Sequence, residues 1–549
     1  MASIVMKRDR TAWFEEIRHV LSCSEPSPNI FWVLFGIAVL LYTLGEARFA
    51  SRYVWHDELY TYYIANAPSA EHFWEALKID LNPPLSYLAV RGSLKLFGDN
   101  PYALRLPSMV AFLIGSFSLY KFLSFRLGRE FGLLGMLALW TTPYLMIGSE
   151  ARPYALVFGF WGLALLMWQR TLTQKPPGWS IPALFASVLG MMFSHMFSVF
   201  YVAPFLATEF YLWYRTRKVR LPIWLTLSIP YVVPFLYLSK ARNYESGSIP
   251  QAFQASFHKI LSFYFESLAG PSIALLIAVV LTLGLLPMGL RSASAAPRNL
   301  VSSEICLALV LALLPICQVI VLMRSHAGFF PRYALPVVFA YALVFVAFMA
   351  RTTSGRPMLA IVGSCVLAIF VFQNTLLDGV LDAIHGRNPM VIHSRPLDPC
   401  ATLKPDLPLV AASGLTFVEM DHYASAQTRS RLYYLTDRTF ALKYAGATIF
   451  EGLRAAKQVL PIRSTVQPYS EFITHHDRFL VIGSIGYPED WLLDRLVDVG
   501  ANVNFIGVFP NAYKDWQVFE VSMRGSGEGE TKSGADVAQM MPSVGANQR

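Results

Sequence analysis

Two carboxylates, Asp57 and Glu58, stand side by side between Trp55-His56 and Leu59-Tyr60, just beyond an apolar run from Ile30 to Leu44. A carboxylate can take a proton from a hydroxyl, hold an ion pair, or sit solvated on a loop. Beside a lipid-spanning helix the polar group is costly and is usually functional or paired. The same placement, at the end of an apolar run, recurs for Glu150 with Arg152, for Arg105, for His195 and for Arg332. An arginine fork meets phosphate oxygens bidentately, but arginines at span ends also snorkel to lipid headgroups. His195 suits phosphate, a metal, or plain hydrogen-bonded packing. Tyr154 and Tyr333 suit ligand hydrogen bonding or the aromatic belt of a membrane protein.

The elements that must position these residues are apolar helices. Of 549 residues, 54% are hydrophobic and 15% charged, with a mean hydropathy of +0.43. The charged share is well under the roughly 25% of soluble domains. The net charge of +9 comes from basic residues placed between apolar runs, which points to membrane topology and away from nucleic acid. Cys23, Cys306, Cys317, Cys365 and Cys400 form no CxxC or Cys/His pattern, so neither a disulfide framework nor a structural zinc site is expected. The N-terminus, with Lys7, Arg8, Arg10 and Arg18, is too long and polar for a cleaved signal peptide, and Ile30–Leu44 reads as a retained first span.

A span needs about 20 helical residues. Apolar runs near 28–45, 103–123, 131–148, 153–169, 180–194, 196–213, 221–238, 271–290, 304–323, 333–350 and 358–377 give about eleven. Lys and Arg gather on alternate connections, at Lys121/Arg126/Arg129, Arg170/Lys175, Arg215–Arg220, Arg291/Arg298 and Arg351/Arg356, together with the N-terminal cluster. The basic side is cytoplasmic. The N-terminus is therefore expected inside, and Asp57, Glu58 and everything after Leu377 outside the cytoplasmic (inner) membrane.

Residues 46–102 then form a first external loop whose apolar-aromatic stretches, Tyr60–Ala65, His72–Leu77 and Leu85–Phe97, resemble helices lying on the interface. Ser239–Gly270 is expected as a second interfacial lid. After a linker at 378–397, short β-like runs alternate with a helix-like Trp491–Val499 over 398–524, a small soluble α/β domain. The tail at 525–549 is expected to be disordered. Within the soluble part Asp421-His422 and His475-His476-Asp477 read as solvated surface clusters in preference to metal sites.

Laid out in this order, the chain resembles the C-type membrane glycosyltransferases, above all the protein O-mannosyltransferases, the lipid A aminoarabinose transferases and their bacterial relatives. The resemblance runs from residue 28 to about 350. It is carried by Trp55-His56-Asp57-Glu58, Asp80-Leu81-Asn82-Pro83-Pro84-Leu85-Ser86-Tyr87, Ala103-Leu104-Arg105-Leu106-Pro107-Ser108, Ser149-Glu150-Ala151-Arg152-Pro153-Tyr154, Ser194-His195 and Phe330-Pro331-Arg332-Tyr333. Each motif is short; their order, spacing and common sidedness are specific together. Asn82 stands where many relatives carry His. The Trp-Trp-Asp-Tyr-Gly motif of the oligosaccharyltransferase branch is absent, against transfer of a whole oligosaccharide to asparagine.

The resemblance implies a mainly α, polytopic fold and inverting transfer of one hexosyl or pentosyl unit from a polyprenyl-phosphate donor to a hydroxyl of a glycan, lipid or protein. Asp57 would then be the general base; Glu58 would share its proton, orient the acceptor, or face away and cap local backbone, and Glu150 would orient the acceptor, hold a sugar hydroxyl, or pair with Arg152. Arg152, Arg332, Tyr154, Tyr333 and His195 would hold the donor phosphate, and His56 and Asn82 would serve the acceptor side of the loop. No cofactor is required. A divalent metal is compatible with Asp57, Glu150 and His195, although their separations supply no ligand spacing. The competing classes are a secondary transporter, whose polar residues would lie mid-span, and a non-catalytic envelope assembly protein.

Overall fold

Each apolar run read as a span folds as helix, in several cases broken. The computed structural model describes residues 28–78, 80, 82–241, 250, 253–289, 299–325, 327–388, 390, 398, 400–448, 450–483, 490–509 and 516–523. The N-terminal basic cluster, Arg291/Arg298, residues 391–397 and the expected tail lie outside the described residues. Among the described residues, four helices are long and apolar enough to cross a membrane: Pro28–Ala50, Pro101–Leu127, Ser302–Arg324 and Pro357–Thr375. The bent pair Arg129–Trp140 with Pro143–Ser149 would make a fifth. Their outward faces expose Trp32, Val33, Ile37, Leu40, Leu309 and Leu313, large apolar side chains that only a lipid surround accommodates without cost. This is the helical part of a multi-pass membrane protein.

In lipid, tails are as apolar as leucine, so close packing and polar ties hold helices together. Tyr154–Thr171 and Pro101–Leu127 meet backbone to backbone: a Cβ on Gly159 would lie 2.4 Å from the Ala111 carbonyl oxygen, and one on Gly162 would lie 2.8 Å from Gly115 Cα. Around this seam Phe112 stacks on Phe158 at 4.4 Å and Trp161 packs on Phe339 at 4.8 Å. Buried acids are tied as well. Glu209 accepts from Trp168 Nε1 at 2.7 Å and pairs with Arg220 at 3.1 Å; Glu304 pairs with Arg126 at 2.9 Å.

The expected span 131–148 bends by 83° where Arg129–Trp140 gives way to the 3₁₀ segment Pro143–Ser149. Thr141 and Thr142 turn their hydroxyls back onto the carbonyls of Ala138 and Leu139, and Pro143 has no N–H to continue the helix. The bend delivers Glu150-Ala151-Arg152 to the start of Tyr154–Thr171. The loop expected outside forms three helices, His56–Ala65, Ala70–Leu77 and Leu85–Phe97, close to the expected stretches. The second expected lid differs: from Phe257 onward it is the first part of one long helix, Phe257–Gly289. Its polar residues are compatible with helix. The stretch expected as linker opens as another helix, Leu377–Ile384, with Asp382 paired to Arg48 at 3.4 Å.

The chain divides into two units, Met1–Tyr244 with Gln254–His393, and Ser394–Arg549 with Glu245–Phe253. The second is built on a six-stranded sheet of order β3-β2-β1-β4-β6-β5. β1 (Leu409–Ala411) runs parallel to β2 (Leu432–Thr436) and β4 (Arg478–Gly483), with Val410 opposite Tyr433 and Val481. β3 (Thr465–Pro468) extends the parallel edge, whereas β5 (Asn502–Phe509) and β6 (Trp516–Ser522) close the sheet antiparallel. Val410, Phe472, Val481, Trp491 and Phe519 share its core. Asp421, expected on the surface, is fully buried and accepts the Arg463 and Ser464 N–H groups at 3.0 and 2.6 Å.

Candidate active site

The His56–Ala65 helix begins with both acids in its first turn, and the two face different surroundings. Glu58 is fully buried. It accepts Arg105 Nε and Nη2 at 2.9 and 2.5 Å, the Ala151 N–H at 2.7 Å and the Trp55 N–H at 3.4 Å. Those contacts occupy about four acceptor positions, all that a carboxylate has. Arg105 spends its remaining donors on the carbonyls of Ala50, Arg52 and Tyr53. Glu58 therefore has no acceptor left for a substrate proton. It ties its own loop to the Pro101–Leu127 helix and to the turn before Tyr154, as a scaffold residue would.

Asp57, one residue earlier, faces two guanidiniums. Its Oδ2 lies 3.1 Å from Arg332 Nη2 and 3.5 Å from Arg152 Nη2, and Arg152 Nη1 donates to the Asp57 carbonyl at 3.0 Å. Neither approach to Oδ2 is a well-aligned hydrogen bond, and the Nε–H groups of both arginines are buried without an acceptor among the described residues. Both guanidiniums lie 5.7 Å from the Tyr154 ring, and that of Arg332 is also 5.8 Å from Trp55 and 4.9 Å from Phe330. Burial alone would push the Asp57 carboxyl up, but Arg152, Arg332 and His56 outweigh it and hold it below the usual aspartate range. Burial works against the charge on Arg152, but Asp57, Tyr154, Tyr87 and Asp80 together outweigh it and raise its pKa.

Glu150 pairs with Arg52 at 3.6 Å. Burial, with Glu58 adding to it against Arg52, leaves its carboxyl above the usual range. His195 is buried, with its ring 5.1 Å from Tyr154 and 5.9 Å from Tyr333. Its Nδ1 accepts the Phe197 N–H at 3.1 Å, so a neutral ring carries its proton on Nε2. Burial, then Arg152 and Arg332, depress its pKa to about 3. His195, Tyr154, Tyr201 and Arg332 gather with Val157, Leu335 and Pro336 around a crevice too tight to hold a water molecule. The 3₁₀ turn Pro331–Ala334 that presents Arg332 is anchored by Tyr201 and Gln318, which both donate to the Tyr333 carbonyl.

Asn82 is bonded to Asp80, through its backbone at 2.8 Å and its Nδ2 at 2.9 Å, and Tyr87 donates to Asp80 at 2.6 Å. This triad fixes the Asn82-Pro83-Pro84 turn, and the charge of Asp80 reaches Arg152. His56 stands against Trp55 at 4.7 Å. Among the described residues no group of three His, Cys, Asp or Glu is arranged to hold a metal ion, so Asp57, Glu150 and His195 do not gather as a ligand set. Asp80 and Tyr87 belong to a sequence motif with no expected part of their own, and Arg52, Tyr201 and Gln318 carry no motif that points to the site. The polar Gln318 in an apolar run was the available signal.

Residues 81–238 match the profile of the family described as dolichyl-phosphate-mannose-protein mannosyltransferase. That match lies inside the stretch along which the motifs resemble the C-type membrane glycosyltransferases, and it supports that assignment. No curated protein matches the chain in sequence. Among solved structures, the chain is similar to ArnT from Cupriavidus metallidurans. To the apo form it has 13% identity and a TM-score of 0.45, over 89% of this chain and 97% of that one. To the form bound to undecaprenyl phosphate it has 13% identity and a TM-score of 0.46, over 91% and 99%. An Archaeoglobus fulgidus oligosaccharyltransferase in complex with Zn and sulfate aligns at 11% identity and a TM-score of 0.33, over 81% and 67%.

Proposed function

We propose that the chain transfers one monosaccharide from a polyprenyl-phosphate donor to a hydroxyl acceptor, by a single inverting displacement at the outer face of the cytoplasmic membrane. The observation that carries the reading is Asp57 set between Arg152 and Arg332, whose buried Nε–H groups have no acceptor among the described residues. The family match over residues 81–238 gives it a substrate class. The acceptor oxygen attacks the anomeric carbon while the bond from that carbon to the phosphate oxygen breaks. Asp57 takes the acceptor proton. The phosphate gains negative charge as it leaves, and two fixed guanidiniums stabilise that charge more than they stabilise the bound donor.

His195 donates Nε2–H to a phosphate or sugar oxygen as a neutral group, and Tyr154 and Tyr333 wall the site. Glu150 orients the acceptor from the Arg52 side, and Asn82 with His56 shapes the loop over it. The test is donor use by arginine variants. Arg332→Ala or Arg152→Ala removes charge-assisted bonds of roughly 1.5–3 kcal/mol each, and Lys restores only part of the loss because the fork is gone. Unchanged donor saturation and turnover in both alanine variants would make these residues headgroup anchors.

A further inference from the structure

Asp57 and a donor phosphate would call on the same two cations. The carboxylate Oδ2 lies 3.1 and 3.5 Å from the two guanidiniums without a well-aligned hydrogen bond to either, and each arginine retains a buried Nε–H with no acceptor among the described residues. One carboxylate oxygen therefore satisfies this pair poorly, whereas the oxygens of a phosphate would meet both forks. By contrast Glu58, one residue on, is locked by Arg105 and two backbone N–H groups and cannot exchange.

We propose that the donor's phosphate and the Asp57 carboxylate compete for Arg152 and Arg332, so that donor binding displaces Asp57 and frees it for the acceptor hydroxyl. This rests on the transfer reading above and deepens it: the base becomes available only once the donor is seated, and the donor binds first. The charges balance. Two arginines, the carboxylate and a singly charged phosphodiester sum to zero before the step. Afterwards the acceptor oxygen is bonded to the sugar and its proton is on Asp57. The phosphate leaves as a monoester with a second negative charge, and the sum is again zero. No co-reactant is needed.

Held between the guanidiniums, Asp57 sits below its ordinary range and is a weak proton acceptor. With those cations turned to a phosphate, and with that phosphate's charge beside it, its proton affinity rises. The other groups facing the site are His56 on its own helix, Glu150 and Arg52 at the bend, Asp80 beyond Arg152, and the Tyr154, Tyr333 and His195 side chains. Of these, Glu150 is the one that would mimic the effect, because its carboxyl also responds to Arg152 and Arg332.

The probe is a polyprenyl methyl phosphate, a diester with one charge and no proton to exchange near neutral pH. Its binding to the purified full chain is followed by calorimetry in buffers of different ionisation enthalpy. Wild type should take up protons on binding, increasingly as pH falls from about 6 toward about 4, above and into the ordinary aspartate range. Asp57→Asn should lose that uptake and bind about ten-fold tighter (about 1.4 kcal/mol), since no carboxylate has to be displaced. Glu150→Gln should keep the uptake, and it serves as the control should Asp57→Asn not fold. Equal uptake and equal or weaker affinity in Asp57→Asn overturns the competition while leaving sugar transfer intact. Loss of uptake in Glu150→Gln overturns it equally. Failure of wild type to bind the diester at all overturns the transfer reading itself.

Discussion

Asp57 and Glu58 are adjacent in sequence, and their surroundings separate them completely. Asp57→Asn keeps size and much of the hydrogen bonding but cannot accept a proton, so turnover should fall by about 10²–10⁴-fold. Asp57→Glu should also be poor, because one added methylene displaces the base. Glu58→Gln should show itself in a different measurement. It leaves Arg105 buried beside a neutral amide, and breaking a buried pair costs about 3–5 kcal/mol, so the thermal midpoint in detergent should drop clearly. A midpoint unchanged in Glu58→Gln would remove it from the scaffold. His195, with its pKa near 3, is neutral across the working pH range. His195→Gln should therefore raise the donor KM while the pH profile keeps its shape. Loss of a limb of that profile would show that the imidazole itself titrates in the cycle.

At the scale of elements, the site depends on one close helix crossing and two breaks. Gly159 permits the crossing, since a methyl there would strike the Ala111 carbonyl oxygen at 2.4 Å. Gly159→Ala should push Tyr154–Thr171 away from Pro101–Leu127, lower the thermal midpoint and raise the donor KM through Arg152; unchanged values in both would place the crossing elsewhere. The breaks show what sequence could and could not tell. Apolar runs and the motifs at their ends located Asp57, Glu150, Arg152, His195 and Arg332, because lipid imposes a strict hydropathy pattern on a span. The 83° bend before Glu150 was hidden inside one apolar run, since Thr141, Thr142 and Pro143 act through local hydrogen bonding, which leaves hydropathy unchanged. Partners were hidden too. Nothing in the spacing said that Arg105 would take Glu58 while Arg152 and Arg332 took Asp57. In the C-terminal unit the apolar runs Leu407–Ala412, Arg431–Leu435, Phe479–Ile485, Val503–Phe509 and Trp516–Val521 mark β1, β2, β4, β5 and β6, but β3 is four residues of mixed polarity ending in Pro468 and carries no such pattern.

For the whole molecule, the account requires that the site and the C-terminal unit face outward, as the Lys and Arg asymmetry predicts. Ser425 is exposed, and an introduced Ser425→Cys should react with an impermeant thiol reagent in intact cells, or in spheroplasts where an outer membrane intervenes. Reaction only after lysis of the inner membrane would place Asp57 on the wrong side. The central claim, sugar transfer from a polyprenyl phosphate with Asp57 as base, is tested most directly by purified protein in vesicles with labelled polyprenyl-phosphate sugars and extracted envelope acceptors. Wild type should move label from at least one donor to a hydroxyl-bearing acceptor with inversion at the anomeric carbon, and folded Asp57→Asn, still binding the donor, should fall by about 10²–10⁴-fold. Transfer by Asp57→Asn at the wild-type rate, or no transfer from any polyprenyl-phosphate sugar, would contradict the account.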